Sequence, residues 1–315
     1  MTASTIQPDQ LTKDVPDLSI ILVCWNNKDY LEPCLHSLYG ARLHSSYDVL
    51  VVDNGSKDGS QAMLREKFPQ VIIIQNDDNL GLGKASNQGI EASNGKYVLL
   101  LNNDTILNGS SIDAMVEFLD AHPEVGAVGG RLINPDGSIQ SCYNNFSTLH
   151  EEFLIATRLG ELYRKGYPSN MTESRVKSVD WLCSACLMLR RSALDQVGLL
   201  DEKFFIYGDE VDLQYRLKRA GWQIYFLPDA DIIHYGGRSL NRWRRRKLVY
   251  RGKMLFYQKN YGSLSTYILR VMFAGLSLFK LIVWGVTAIF PNWHEQASRE
   301  FQSNADILKL CWKLE

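Results

Sequence analysis

The stretch Tyr97-Val98-Leu99-Leu100-Leu101-Asn102-Asn103-Asp104-Thr105 passes from consecutive apolar residues into two amides and a carboxylate. Because its apolar residues do not alternate with polar ones, it predicts a strand covered on both faces, as in the central parallel sheet of an α/β domain. Ligands of open α/β sheets bind outside the carboxyl ends of the strands. We therefore expect Asn102 and Asp104, two residues apart and on the same side, to face a ligand or its metal.

The segments around this stretch repeat the same strand-and-helix pattern. Upstream, apolar runs and helical spacings predict strands at 18–24, 48–53 and 71–74, with helices at 30–39, 58–68 and after Gly83. Downstream, they predict helices at 111–121, 151–163, 192–197 and 213–220, strands at 125–130, 179–189 and 222–227, and an irregular stretch at 133–179. Regular alternation of strands and helices predicts a parallel sheet with crossover helices.

Composition excludes several classes of protein. The 315 residues are 45% hydrophobic, so the chain can bury a large core and is neither disordered nor fibrous. Lys and Arg number 34 against 35 Asp and Glu, which gives no overall case for nucleic-acid binding. Six scattered cysteines indicate a reducing compartment, and we expect the Cys183-x-x-Cys186 pair to be buried thiols in an apolar run, with neither zinc nor redox function.

Two motifs upstream of Asp104 indicate a nucleotide ligand. Asp53 ends a predicted strand before a glycine turn, where its carboxylate could accept hydrogen bonds from a nucleobase or ribose, although an Asx-turn would use the same residue. Gly81 and Gly83 precede a helix and let the backbone approach a ligand, with Lys84 placed to meet a phosphate. Ser86 stands where the dinucleotide fingerprint needs a third glycine, which disfavours a dehydrogenase.

An acidic segment downstream supplies candidate catalytic groups. Asp209, Glu210 and Asp212 follow the aromatic run Phe204-Phe205-Ile206-Tyr207, a setting that raises a carboxylate pKa toward the working range of a general base. The same residues would also suit the acidic first turn of a helix. His234 follows an apolar run and becomes a candidate metal ligand if a metal site lies nearby.

Together these motifs resemble family 2 glycosyltransferases of the GT-A fold, in particular their rhamnosyltransferase-like subgroup. The resemblance spans about 18–261 and rests on Val52-Asp53-Asn54-Gly55-Ser56, Asn79-Leu80-Gly81, Asn87-Gln88-Gly89, Leu101-Asn102-Asn103-Asp104, Val179-Asp180-Trp181, Phe205 to Leu213 and His234. It implies an α/β nucleotide-diphospho-sugar transferase fold of the GT-A type, with a mostly parallel central sheet flanked by helices. The sequence that follows predicts a C-terminal helical, membrane-associated extension.

The resemblance also implies roles for individual residues. Asp53 would contact a pyrimidine base, Asp104 would bind Mg²⁺ or Mn²⁺ against the diphosphate, and His234 would complete the metal site. The Asp209-Glu210 pair would hold the base; this chain reads Asp-Glu where the family usually reads Glu-Asp, and position favours Glu210. Further donor-side positions are Asn54, Asn79, Gly81, Lys84, Asn87 and Asn102, and acceptor-side positions are Trp181 and Ser184, the latter standing where glycine is common.

The implied reaction is an inverting transfer of a sugar to a hydroxyl of a glycan or lipid-linked glycan in cell-surface polysaccharide assembly. We expect L-rhamnose from dTDP-L-rhamnose as the donor, with a UDP-sugar as the alternative. A processive synthase would need several membrane helices and a Gln-x-x-Arg-Trp motif, but Ser239 replaces that Gln before Arg242-Trp243. A silent nucleotide-sugar-binding membrane scaffold would lack the base, and the acidic segment argues against it.

The C-terminal part predicts contact with a membrane. Residues 238–253 hold eight basic and no acidic residues, and 271–290 are almost wholly apolar apart from Lys280. Such a pair of segments suits an anionic inner leaflet, although a packed soluble helix would show the same composition. With no secretory signal at the start, we expect a tail at 1–16, a transferase domain at 17–262 on the cytoplasmic face, and an apolar segment at 263–315 as a possible anchor.

Overall fold

A computed structural model of the chain describes residues 15–107, 109–162, 174–236 and 241–313, so most of the predicted tail at 1–16 lies outside the described residues. The described residues form two compact units. The first comprises those within 1–145, 170–205 and 209–239, and the second those within 146–169, 206–208 and 240–315. The predicted boundary at residue 262 concerns a membrane-anchoring segment and stays a prediction.

The first half of unit 1 is the predicted alternation of strands and helices. In chain order it contains β1 Leu18–Cys24, α1 Lys28–Gly40, β2 Tyr47–Asn54, α2 Ser60–Lys67, β3 Ile72–Asn76, α3 Leu82–Glu91 and β4 Tyr97–Asn102. Strand β1 pairs in parallel with β2 and β4, and β2 pairs in parallel with β3. The side chains of β1 and β4 are buried almost throughout, which explains their unbroken apolar sequences.

The second half completes a nine-stranded sheet with two short strands apart from it. It contains β5 Thr105–Leu107, α4 Gly109–Ala121, β6 Val125–Ile133, β7 Tyr143–Asn144, β8 Lys177–Ser178, β9 Trp181–Leu182, β10 Cys186–Arg190, α6 Arg191–Val197, α7 Asp209–Arg219 and β11 Gln223–His234, where α5 belongs to unit 2. The strand order is β3-β2-β1-β4-β10-β6-β11-β5, with β8 also on β11, and β7 pairs with β9.

The main departure from simple alternation is β10, which lies antiparallel between β4 and β6. Its sequence is as apolar as that of a parallel strand, so composition did not reveal its direction. Strand β11 continues past the predicted end at 227, through an irregularity between Leu227 and Asp231, to His234. The short β5 was also not predicted; it pairs with the end of β11 and sets Thr105 opposite His234.

Unit 2 is helical in the residues described. It contains α5 Leu149–Thr157, a 3-10 turn at Leu159–Leu162, α8 Arg242–Asn260, α9 Gly262–Thr287, a 3-10 turn at Pro291–Trp293 and α10 His294–Trp312. Helix α9 contains most of the predicted apolar segment, and α10 lies within the C-terminal part that was predicted to be helical, whereas α8 was not predicted as a helix. Among the described residues, α9 is the one helix long and apolar enough to cross a membrane, by length and composition only.

Candidate active site

Asp104 and His234 meet at the carboxyl end of β4. The pairing of β5 with β11 brings Asp104 Oδ1 to 3.3 Å from His234 Nε2, and both side chains are largely buried. Asn102 Nδ2 lies 3.2 Å from the same ring nitrogen. Asn102 and Asp104 therefore share one side of the strand end, as their spacing predicted.

The hydrogen bonds of Gln140 define which ring nitrogen of His234 carries the proton. The Gln140 amide nitrogen donates to the His234 carbonyl oxygen and, over 2.7 Å, to Asn134 Oδ1. The amide oxygen therefore faces His234 Nδ1, at 2.8 Å, and must accept its hydrogen. In the neutral ring the lone pair is then on Nε2, which lies close to both Asn102 Nδ2 and Asp104 Oδ1. A ring whose other nitrogen donates to a fixed acceptor is the second-shell arrangement usual for metal-binding histidines.

This corner brings together two side chains of the types that bind divalent cations in proteins. A carboxylate oxygen and an imidazole lone pair 3.3 Å apart repel each other unless a proton or cation lies between them. Neighbouring ligands of an octahedral Mg²⁺ at about 2.1 Å from the ion lie about 3 Å apart, so the two atoms fit one ion. The described residues contain no cluster of three or more His, Cys, Asp or Glu that could hold a metal, so further ligands would have to come from water or substrate.

Asp53 has one engaged and one unengaged carboxylate oxygen. Its Oδ1 accepts from the backbone N–H groups of Gly55 and Ser56, at 3.1 and 2.8 Å, and from Gln61. Its Oδ2 is buried and has no hydrogen-bond partner among the described residues. Asp53 thus forms the Asx-turn through Oδ1 and leaves Oδ2 without a partner among the described residues, while contact of Oδ2 with a nucleobase stays a prediction.

The other predicted donor-side amides hold the loops in place. Asn54 donates to Asn79 Oδ1 and to the Gly81 carbonyl, and it accepts from the Leu80 N–H at 3.0 Å. Asn87 exchanges two hydrogen bonds with the backbone of Leu200. These contacts make Asn54, Asn79 and Asn87 supports of the crevice wall; direct contact of any of them with a donor stays a prediction.

The glycine loop lies against the chain that leads to the acidic helix. Gly81 has φ +92°, and a Cβ there would stand 2.6 Å from the Phe205 carbonyl oxygen, which accepts from the Leu82 N–H at 2.7 Å. At Gly83 a Cβ would lie 3.3 Å from Asp209 Oδ2. The two glycines therefore permit close packing against Phe205 and Asp209. Lys84 extends to Glu202, with its Nζ 3.5 Å from the carboxylate.

Asp209 and Glu210 form the first turn of α7, which begins earlier than the predicted helix at 213. Asp209 is 2% exposed, and its burial, followed by the charge of Glu210, raises the pKa of the Asp209 carboxyl well above its ordinary value. Glu210 is half-buried and lines a cavity with Asp209, Asn102 and Ser184. The more accessible carboxylate is therefore Glu210.

The third carboxylate and the acceptor-side tryptophan have different surroundings. Asp212 is fully buried and accepts from Arg216 Nε at 3.0 Å, while the Arg216 guanidinium also donates to the carbonyl oxygens of Val197 and Leu199. Trp181 donates to the Asn145 carbonyl oxygen in unit 1 and is not among the residues that line the cavity. Asp212 thus anchors α7, while Ser184 is the predicted acceptor-side residue beside the carboxylates.

Solved structures with a similar fold identify the fold class of this chain. A mannosyltransferase from Pyrobaculum calidifontis in complex with GDP-Man and Mn²⁺ superposes with a TM-score of 0.56, at 13% identity, covering 99% of this chain and 90% of that one. The S. aureus TarS 1–349 structure in complex with UDP gives a TM-score of 0.53, at 16% identity, covering 93% and 90%. The fold is accordingly that of the GT-A glycosyltransferases, which confirms the predicted fold class.

The sequence comparisons give the family. The model described as glycosyl transferase family 2 matches residues 19–198, more than half of the chain. An N-acetylglucosaminyl-diphospho-decaprenol L-rhamnosyltransferase of Mycobacterium tuberculosis is 32% identical over 241 residues, which are 71% of this chain and 78% of that protein. The chain belongs to glycosyl transferase family 2. It is a glycosyltransferase similar to rhamnosyltransferases, as its motifs predicted.

Proposed function

We propose that the enzyme transfers L-rhamnose from dTDP-L-rhamnose, with inversion, to a hydroxyl of a lipid-linked glycan at the cytoplasmic face of the membrane. The 32% identical relative, named for rhamnosyl transfer to a diphospho-decaprenol-linked sugar, supports the choice of sugar and acceptor class. The observation that carries the reaction type is the position of Asn102, which lies 3.2 Å from His234 in the Asp104–His234 corner and lines the same cavity as Asp209 and Glu210. A candidate cation site and a candidate base are thus linked through one residue.

Separate residues hold the donor at its base and at its diphosphate. Asp53 Oδ2 accepts the imide N–H of the thymine base, for which a buried and otherwise unpartnered carboxylate oxygen is suited. Asp104 and His234 bind Mg²⁺ or Mn²⁺, supported by the Mn²⁺ named in a structural neighbour. That cation, when bound, neutralises the diphosphate charge as it leaves. Asn102 lies beside the same corner and hydrogen-bonds the donor sugar or ribose.

Glu210 removes the proton from the acceptor hydroxyl. At the same time the hydroxyl oxygen attacks the anomeric carbon of the sugar, on the side opposite the departing nucleoside diphosphate. Glu210 borders the cavity, whereas Asp209 is buried, and this burial raises the pKa of its carboxyl and disfavours its charged form. A protonated Asp209 hydrogen-bonded to Glu210 orients the base without a second negative charge. Ser184, on the same cavity, contributes to the acceptor wall.

A panel of nucleotide sugars tests this function. The purified enzyme is incubated with Mn²⁺, a polyprenyl-diphospho-N-acetylglucosamine acceptor and, in turn, dTDP-L-rhamnose, UDP-N-acetylglucosamine, UDP-glucose or GDP-mannose. We expect product only with dTDP-L-rhamnose and none in excess chelator. Transfer from a UDP-sugar in preference to dTDP-L-rhamnose would replace the proposed donor, and transfer to a water-soluble glycan alone would replace the proposed acceptor.

A further inference from the structure

The outer face of helix α9 is continuously apolar. Its exposed residues recur every three or four positions, the spacing of one helix face, and none of those between 264 and 290 is charged. They are Leu264, Tyr267, Ile268, Val271, Gly275, Leu278, Phe279, Ile282, Val283, Gly285, Val286, Ile289 and Phe290. Several are more than half exposed, including Phe279 at 65% and Ile282 at 63%. An apolar patch of this extent is not left to water in ordinary soluble domains.

The opposite face of α9 is covered by the protein. Leu269 and Phe273 are buried there, next to α8 and α10, and the polar side chains of Thr266 and Ser277 are buried on the same side. Lys280 also lies on this side, and its Nζ donates to the carbonyl oxygen of Ala156 in α5 over 2.9 Å. The charged residue in the middle of the apolar segment is therefore already held by protein. If α9 crossed the bilayer, α8 and α10, which pack against it, would enter the hydrocarbon layer as well.

The other helices of unit 2 show that this apolar face is particular to α9. The exposed positions at the start of α10 include Glu295, Gln296, Ser298, Arg299 and Gln302. Helix α8, which packs against α9, has eight Lys and Arg and no Asp or Glu. Over residues 241–313 there are 13 Lys and Arg against 3 Asp and Glu. One unit thus combines an exposed apolar helix face with a large excess of positive charge.

We propose that α9 lies in the plane of an anionic bilayer, with its apolar face among the acyl chains and the basic residues of α8 at the lipid headgroups. This combination is the one that binds interfacial helices to anionic membranes. It specifies the membrane partner of the proposed function, and rests on that function only for the membrane being the cytoplasmic one. A second copy of the chain would cover the apolar face equally but would not require the basic helix.

Vesicle binding without any donor or acceptor tests this surface separately from sugar transfer. The purified full chain is sedimented with vesicles of phosphatidylcholine alone or with one third phosphatidylglycerol. We expect binding to the anionic vesicles, reduced at least tenfold by Phe279→Glu or Ile282→Glu. The matched control Gln302→Glu, on the polar face of α10, should bind normally. Phe279→Ser serves as a milder variant, and thermal melting verifies that each protein is folded.

The basic helix gives a second, quantitative readout. Arg244→Ala and Lys247→Ala, both at exposed positions, should each weaken binding to anionic vesicles about fivefold, since each basic residue near such a surface contributes about 1 kcal/mol. Equal binding of the unaltered protein to both vesicle types, or an unchanged affinity of these variants for anionic vesicles, would refute the proposed contact between α8 and the anionic headgroups. A monomer–dimer shift in Phe279→Glu by sedimentation velocity, with vesicle binding unchanged, would assign the face to a second copy.

The orientation of α9 is tested by labelling its two ends. Ser263→Cys and Asn292→Cys place thiols at exposed positions in the first turn of the helix and after its end. On sealed vesicles to which the protein has been added from outside, an impermeant maleimide should label both thiols equally, above the background of the parent protein. Protection of one end only, removed by detergent, would show that α9 crosses the bilayer and would refute the in-plane arrangement.

Discussion

The side-chain oxygen of Gln140 accepts the Nδ1 hydrogen of His234 over 2.8 Å. The Gln140 amide nitrogen donates to the His234 carbonyl oxygen and to Asn134 Oδ1, so these bonds fix the orientation of the Gln140 amide. The residue follows the turn at 134–138, where Asn134 and Ser138 are joined through backbone and side chains. A turn in the irregular part of unit 1 thereby determines the tautomer of a histidine some 94 positions later. Nothing in the spacing of Gln140 marks it as part of the site.

Gln140→Leu should weaken cation-dependent nucleotide binding. Without its acceptor, the His234 ring loses both its tautomer preference and its orientation, a loss that typically lowers metal affinity about 10- to 100-fold. Calorimetric titration of dTDP in the presence of Mn²⁺, and again in chelator, measures this directly. The matched variant Gln196→Leu removes the acceptor of the Trp222 indole elsewhere in the unit and should leave binding unchanged. Equal affinities in the two variants would exclude a positioning role.

Asp104→Ala should abolish metal-dependent turnover of the donor while the protein stays folded. Its Oδ1 is the carboxylate oxygen paired with His234, and the described residues supply no third side chain to replace it. The measurement is release of dTDP at saturating Mn²⁺, with Asp195→Ala, an exposed residue of α6, as the control. Full activity of the unaltered enzyme in excess chelator would contradict the metal site itself.

Asp53→Asn should lower affinity for dTDP about 10- to 100-fold. When the amide oxygen keeps the turn contacts, the amide nitrogen faces the base N–H, and two donors cannot form a hydrogen bond. The turn contacts of Oδ1 with Gly55 and Ser56 can be kept by the amide oxygen, so the loop is retained. A dTDP analogue methylated at the base N3 should bind the unaltered enzyme as weakly. If the analogue binds as well as dTDP, Asp53 does not read the imide group.

Glu210→Gln should reduce kcat about 10²- to 10⁴-fold, the range typical of removing a general base. Binding of dTDP with Mn²⁺ should be unaffected, because the change is confined to the carboxylate that borders the acceptor side of the cavity. Asp209→Asn keeps a hydrogen-bond donor beside Glu210 and should retain a larger share of activity. The reverse ranking of the two variants would assign the base to Asp209.

The stability of the enzyme should also report the buried carboxyl. Burial and the charge of Glu210 raise the pKa of folded Asp209 above its unfolded value of about 3.9. Below that unfolded value, Asp209 is protonated in both the folded and the unfolded protein and does not reduce stability. As the pH rises from there toward the folded pKa, the free energy of unfolding falls. The gain in Tm of Asp209→Asn over the unaltered enzyme should therefore grow as the pH rises above about 3.9. Asp212→Asn, which replaces the ion pair with Arg216 by a neutral hydrogen bond, should be less stable than the unaltered enzyme. A pH-independent difference for Asp209→Asn would contradict the raised pKa.

The parts of the fold that could be predicted are those set by local patterns. Strands β1, β2 and β4 appear as continuous apolar runs, and their polar ends identify Asp53, Asn102 and Asp104. Pairing between distant segments has no such local pattern. The antiparallel direction of β10 and the meeting of β5 with β11 depend on which strand edges are left open by the rest of the sheet.

The candidate site divides in the same way. The motifs identify the carboxylates and His234 but not how their atoms are used: Asn54 and Asn87 have the composition of ligand-binding residues, yet their amides are bonded to the protein. Likewise, Asp212 looks like its acidic neighbours in sequence and differs from them by its bond to Arg216. The division of labour within a polar motif depends on burial and partners, which spacing does not contain.

The position of β10 has a consequence for synthesis of the chain. Strands β4 and β6 are both made before residue 134, but the strand that joins them ends at Arg190. Until the ribosome has released that segment, the nascent chain carries two apolar strands with unpaired edges, the kind of surface that promotes aggregation. A chain that stops short of β10 should therefore be insoluble, although it contains Asp53 and Asp104. Folding of this enzyme is committed late in translation, after most of its donor-side residues have already emerged.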